Sequence, residues 1–222
     1  MTDTRIRLHH CAQARSFRVL WLLHEIGAPF ELVRHSLLDR SLRGPDYLAL
    51  SPAGRVPALE IDGRALFESG AIAEYLCETR APALGRAPGE AGRADFLEWL
   101  HFAETIGQHI ANLTQHHIVL REDWMRSPTV MRLEARRLGV TLNAVAQAVR
   151  GRDWLLGERF SAADVAVGYG VDIGRRFVDI GAIDGLTAYH RRLCARPAYR
   201  RAAEQDGPPE IYTRDFYEVP DG

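Results

Sequence analysis

Cysteine is scarce in this chain. Cys11, Cys77 and Cys194 are the three, far apart along 222 residues. No CxxC and no ligand spacing joins them, so they outline neither a disulfide framework nor a zinc motif. An odd, dispersed set fits a reducing cytosol better than a stapled secreted scaffold. An excess of one charge is also missing: 28 basic residues face 29 acidic ones, for a formal net charge of -1. The basic residues are scattered, which speaks against nucleic acid or an anionic membrane surface as partner. No apolar run reaches the roughly 18 residues of a membrane helix. The opening MTDTRIRLHH has no apolar core of a signal peptide. Internal repeats, low-complexity tracts and the glycine patterns of dinucleotide or phosphate loops are absent as well.

What is present is enough apolar sequence for a core, 46% of residues, in a length that suits one large domain or two small ones. The first 80 residues read as β-α-β-α-β-β-α. Arg5 to His9 alternates like a short strand. Phe17, Val19, Leu20, Trp21, Leu23 and Ile26 follow at helical spacing, with Ser16 at the N-cap and Gly27 as the stop. FELVRH (30–35) is strand-like, and PDYLAL (45–50) is a helical turn opened by proline. Ala58 to Ile61 and Arg64 to Phe67 are strands joined by Asp62-Gly63, a two-residue hairpin signal because a type I′ turn needs positive φ. Ser69 is placed to cap the next helix. RAPALGRAPGEAGR (80–93) reads as a linker. Beyond it the periodicity is helical over 94–122, 130–150, 161–178 and 186–194, and the tail GPPEIYTRDFYEVPDG is irregular and aromatic. The expected architecture is a small α/β domain over 1–82, a linker over 83–91 and an all-α domain over 92–222.

That order, with SFRVLWLLHEIG (16–27), SPAGRVPALEIDG (51–63), FESGAIAEYL (67–76) and FSAADVAVG (160–168), resembles the glutathione S-transferase family. The nearest likeness is to bacterial and fungal members with a SRSFRVLWLLEELG-like first helix. The resemblance spans essentially the whole chain. It implies a thioredoxin-like domain that binds glutathione and a helical domain that lines a pocket for an electrophile. It further implies a cytoplasmic homodimer that takes part in detoxification, with glutathione as co-substrate and no metal.

The resemblance also assigns roles. Val56-Pro57 becomes a cis bond, with the Val56 backbone pairing the cysteinyl part of glutathione like one more strand. The N-terminus of the helix at Ser69 takes the γ-glutamyl carboxylate, since free N–H groups and a partial positive charge gather there. Glu68 takes the γ-glutamyl ammonium. Arg55, and Arg43 from the loop after the second strand, are candidates for the glycyl carboxylate. The group that activates the thiol departs from the family pattern. In LHHCAQARSFRVL, His9 stands where many relatives have tyrosine, Ala14 near a serine position, and Arg15 where cysteine-type bacterial relatives keep cysteine. Ser16 is then the first candidate donor to sulfur, Arg15 a candidate for charge stabilisation, and Cys11 a candidate for a mixed disulfide.

Ser161 and Asp164 form an S-x-x-D capping box, read as structural. His101, His109, His116 and His117 mark the first long helix, but no Asp, Glu or Cys joins them at ligand spacing, so no metal is expected. Phe102, Thr105 and His109 are candidates for the electrophile pocket, and Tyr212, Phe216 and Tyr217 for covering it or the core. Two other functions fit the same motifs: a glutathione-dependent disulfide reductase or peroxidase, and a non-catalytic binding protein on this fold.

Overall fold

Two turns organise the N-terminal sheet in the computed structural model, which describes residues 5–219. Asp62 (φ 53°) and Gly63 (φ 74°) both take the left-handed region, so β3 (Ala58–Ile61) folds directly back on β4 (Arg64–Phe67). The longer return through helix α1 (Ser16–Ile26) lays β2 (Glu31–Arg34) parallel to β1 (Arg7–His10). The sheet order is β2-β1-β3-β4, with β1 antiparallel to β3. With α2 (Pro45–Leu50) and α3 (Ser69–Thr79) this is a thioredoxin-like domain.

Alternation along β1 divides its side chains between the two faces of the sheet. Arg7 and His9 share one face and both reach Glu60 of β3, at 3.0 Å. Leu8 and His10 point the other way and are fully buried. Gly27, at φ 72°, ends α1 with its N–H on the Leu23 carbonyl at 3.0 Å, where the sequence placed the stop.

Two expected caps lie one residue away. The N-cap position of α1 is Arg15 and that of α3 is Glu68, so Ser16 and Ser69 are first helical residues and cap nothing. In α1 the reason is a run of turn bonds that feeds the helix from before Ser16: Ala14 N–H to Cys11 O and Phe17 N–H to Ala14 O. In α3 it is Glu68 itself, at φ 70° and ψ 114°, whose carbonyl already accepts from Ile72.

The chain divides into two compact units, Met1–Pro88 with Ala195–Tyr212 and Gly89–Cys194 with Thr213–Gly222. The return of Ala195–Tyr212 brings helix α8 (Pro197–Asp206), which the sequence pattern left unassigned, into the first unit. There it packs along α1. Tyr199 meets Trp21 edge-on at 5.0 Å and Phe17 at 5.6 Å, and Arg196 holds the Glu25 carboxylate through two bonds of 2.7 and 2.8 Å. Only Ala198 and Ala202 of α8 are buried, so its sequence carries almost no apolar stripe.

The second unit contains α4 (Arg93–Thr114), α5 (Pro128–Ala148), α6 (Ala162–Gly174) and α7 (Leu186–Ala195). A π-turn over Gln115–Val119 closes α4. α4 and α6 cross closely at Gly170, where a Cβ would stand 2.8 Å from the Ile106 side chain. Tyr217 stacks on Phe177 at 5.4 Å and meets His117 at 5.8 Å, so this part of the aromatic tail fills the second unit's own core. Among the described residues no helix is long and apolar enough to cross a membrane.

Asp164 is the polar centre of this unit. Its buried carboxylate accepts from the Leu155 amide (2.9 Å), the Ser161 amide (2.9 Å), the Ser161 hydroxyl (3.0 Å) and the Tyr189 hydroxyl (3.0 Å). Burial pushes its carboxyl up, and these donors pull against that rise. Removing the acceptor strands several buried donors at once. Asp164→Ala is expected to cost roughly 3 kcal/mol or more in urea unfolding. A loss below about 1 kcal/mol would contradict this role.

Candidate functional site

The loop from Ser51 to Pro57 is held by hydrogen bonds of its own. The Tyr47 and Ser51 hydroxyls both donate to the Arg55 carbonyl at 2.8 Å, and the Gly54 N–H returns to Ser51 O at 2.8 Å. Gly54 sits at φ 60°, and a Cβ there would meet the Leu42 carbonyl at 2.7 Å, so both backbone and space require glycine. The loop delivers a cis Val56-Pro57 bond. The pairing of β3 with β1 ends at Ala58, so the Val56 backbone lies beyond the sheet ladder. The Val56 side chain packs with Cys11, Leu42, Tyr47 and Ala58. The exposed Arg43 reaches the same loop, with a 3.4 Å bond to the Ala53 carbonyl, while the Arg55 side chain is exposed and its backbone pinned.

The Glu68-Ser69 step is the second built feature. Positive φ at a non-glycine residue costs on the order of 1–3 kcal/mol and gathers at functional sites. Here it turns Glu68 outward while Ser69 is buried. Arg18 of α1, only 4% exposed, donates to the Ser69 hydroxyl at 3.1 Å. The first turn of α3 holds no acidic residue. A guanidinium and a helix N-terminus therefore add positive potential at one point, beside an exposed carboxylate. Arg18 was missed by the sequence reading. Its signal was a charge inside the apolar run SFRVLWLL.

The thiol-activating candidates are placed differently from expectation. Ser16 is fully buried, and its hydroxyl donates to the Cys11 carbonyl (3.3 Å) and accepts from the Cys11 amide (3.2 Å). Its single proton is thus committed inside the loop. Cys11 is a core thiol. Burial pushes it up to about 12, aided by the carboxylates of Glu210 and Asp39, so at neutral pH it stays protonated and unsuited to attack. Arg15 remains at the mouth of α1, half-buried, with no acid in the first turn of the helix. His9 faces away: Nδ1 pairs with His35 Nε2 at 2.9 Å and Nε2 with Glu60 at 3.0 Å.

Gln13 is the other residue that sequence reasoning passed over. Its backbone is left-handed, at φ 59°. Its side-chain oxygen accepts from the amides of Ile211 (3.3 Å) and Tyr212 (2.9 Å), its amide nitrogen donates to the Tyr212 carbonyl (3.2 Å), and its own N–H meets Asp206 (3.0 Å). These partners lie at the far end of the chain, so no local pattern could reveal them. They brace the loop that leads into α1.

In the second unit, Phe102 is half-buried with its ring 5.1 Å from Trp99, and Thr105 is exposed. His109 instead bonds Glu134 of α5 through Nδ1 at 2.8 Å. Asn112 (3.2 Å) and Arg137 (2.7 Å) bond the same carboxylate, so His109 ties α4 to α5.

Known proteins resemble this chain over most of its length. Residues 14–79 match a family model described as glutathione S-transferase, N-terminal domain. A glutathione S-transferase of Xanthomonas campestris pv. campestris is 31% identical over 189 residues, which cover 81% of this chain and 88% of that protein. A disulfide-bond oxidoreductase of Escherichia coli (strain K12) is 28% identical over 208 residues, covering 89% and 94%. Among solved structures, a glutathione transferase family member from Pseudomonas fluorescens with two glutathione bound superposes with TM-score 0.80 at 26% identity, covering 90% of this chain and 92% of that one.

The His109–Glu134 contact makes stability depend on pH. Burial alone would raise the Glu134 carboxyl, but the bonds from His109, Asn112 and Arg137 outweigh it and hold the group below its ordinary value. A lowered acid contributes stability above its unfolded pKa of about 4.3 and loses it as pH falls through the folded value. Glu134→Gln is expected to lower the urea midpoint at pH 7 and to converge on wild type in acid. A gap that stays constant down to about pH 3 would overturn this account.

Proposed function

Because the chain belongs to the glutathione S-transferase family, we propose that its first unit binds glutathione, activates the thiol and transfers it to a small hydrophobic electrophile. The observation that carries the reading is the Arg18–Ser69 contact at the head of α3, beside the outward-turned Glu68. Together they match a zwitterion: carboxylate to the α3 N-terminus, ammonium to Glu68. The Val56 backbone beyond the β3 ladder would take the cysteinyl amide as an added strand. Arg43 and Arg55 stand on the loop where a glycyl carboxylate would end.

In this reading no side-chain hydroxyl or thiol of the chain attacks. The reacting thiol, with an unperturbed pKa near 8.5, is lowered by the N-terminus of α1 and the charge of Arg15. Ser16 and Gln13 act as positioning residues that hold the loop. The thiolate then displaces a leaving group on an electrophilic carbon, with proximity as the main further contribution. The setting we propose is a homodimeric cytoplasmic enzyme of detoxification.

A second reading has specific support. With the Ser16 proton committed and the Cys11 thiol near 12, glutathione itself would carry any redox chemistry, and a relative is named a disulfide-bond oxidoreductase. One glutathione thiolate would attack the glutathionyl sulfur of a mixed disulfide, releasing a thiol and leaving oxidised glutathione.

Calorimetric glutathione titration and thiolate absorbance across pH test both readings. Ser69→Ala, which removes the hydroxyl that Arg18 bonds, is expected to weaken glutathione binding by about five- to tenfold, the equivalent of about 1 kcal/mol. Arg15→Ala should raise the bound thiol's pKa with affinity little changed, and Cys11→Ala should leave turnover within about twofold. Absence of glutathione binding by the wild-type protein would overturn the proposal. Turnover of a glutathione mixed disulfide well above conjugation would select the second reading.

A further inference from the structure

Away from the residues discussed so far, helices α6 and α7 of the second unit bring three donor side chains to one point. His190 and Cys194 lie one turn apart on α7, and Asp172 projects from α6. Asp172 Oδ1 is 2.9 Å from His190 Nε2, and that same nitrogen is 3.4 Å from Cys194 Sγ. All three donor atoms lie within 4.8 Å of one another. They are partly shielded, with the Asp172 side chain 22% and the His190 side chain 16% exposed.

From this geometry we propose that Asp172, His190 and Cys194 form a binding site for a borderline-soft divalent cation of the zinc class. Tetrahedral zinc, with bonds of about 2.0–2.3 Å, sets its N and O ligands roughly 3.4 Å apart and its N and S ligands roughly 3.6 Å apart. The N···S separation already fits, and the N···O pair must open by about 0.5 Å as a cation replaces the hydrogen between them. The donor set narrows the identity. One thiolate, one imidazole and one carboxylate is a zinc combination, whereas calcium and magnesium want oxygens alone.

The surroundings suit a site with one open position. His190 also lines a cavity of about 530 Å³, together with Arg175, Asp179, Ile180 and Phe216. That hollow is open to solvent and gives a cation a route to His190. Arg175 donates to the same Asp172 Oδ1 at 3.1 Å and fixes the orientation of the carboxylate. Binding exchanges protons for metal: Cys194 loses its S–H proton and His190 its Nε2 proton, both to solvent, leaving a thiolate and a neutral imidazole protonated on Nδ1, while bonds to S, N and O form. No electron transfer is involved. The cation would staple α6 to α7 and mask the Cys194 thiol.

The test uses the full chain, stripped with a chelator and kept free of glutathione, whose own thiol competes for zinc. Zinc is titrated against a chromophoric chelator, and cobalt(II) serves as the spectroscopic probe. One equivalent should bind, cobalt should give a thiolate-to-metal charge-transfer band with tetrahedral ligand-field bands, and zinc should slow iodoacetamide labelling of Cys194 at least tenfold by mass spectrometry. Cys194→Ser and His190→Gln should weaken binding by roughly 10- to 100-fold or more. Failure to bind zinc overturns the proposal. So does binding that leaves Cys194 labelling unchanged, which would place the metal on other histidines such as His116 and His117. The labelling experiment needs only the wild-type protein, so it decides even if a variant does not fold.

Discussion

Helix α1 is buried continuously from Ser16 through Leu23, and the first unit depends on that burial. A surface helix hides one stripe. This one hides every face, because the sheet covers one side and α8 the other. The cost of enclosing a polar backbone this way is met by the helix's own hydrogen bonds. The benefit is rigidity at its N-terminal end. Arg18 meets Ser69 from within those packed turns, and the loop over Cys11 to Arg15 is tied to the same helix through the Ser16 hydroxyl.

The two ends of the proposed glutathione site are made by different physics. At Ser51 to Pro57 a loop is held by three hydrogen bonds and a glycine that admits no substitute, so the shape comes from sterics and backbone pairing. At Glu68 the shape comes from a strained residue and the sign from charge: a helix end and Arg18 on one side, a carboxylate on the other. In the proposed reading, a ligand that carries both signs on one carbon would be matched there as a pair. A simple anion would meet Glu68 as repulsion.

The elements governed by local rules were legible in the sequence. The Asp62-Gly63 hairpin, both its strands and the proline-opened α2 fall at the residues named, because turn chemistry and φ restrictions act within a few positions. Helix α8 was not legible, since its partner is α1 rather than its neighbours and it buries only two alanines. The serines were read one step off for a related reason. A hydroxyl before an apolar run suggests a cap, and only the fold shows that Ser16 turns back to Cys11 and that Ser69 receives Arg18. Gln13 and the Asp172–His190–Cys194 cluster depend on partners that no short motif encloses. His190 and Cys194 are a helical turn apart, but the third donor comes from another helix.

The makeup of the first unit also has a consequence for synthesis. Its sheet and first three helices leave the ribosome early, yet Phe17 and Trp21 wait for Tyr199, Glu25 for Arg196, and Gln13 for Ile211 and Tyr212. A nascent chain therefore holds an incomplete α1 face, apolar and uncovered, until the codons for Arg196 to Tyr212 have been read. During that interval Gly89–Cys194, the larger segment of the second unit, is made and can begin to fold before the first is complete, although its core also waits, for Tyr217.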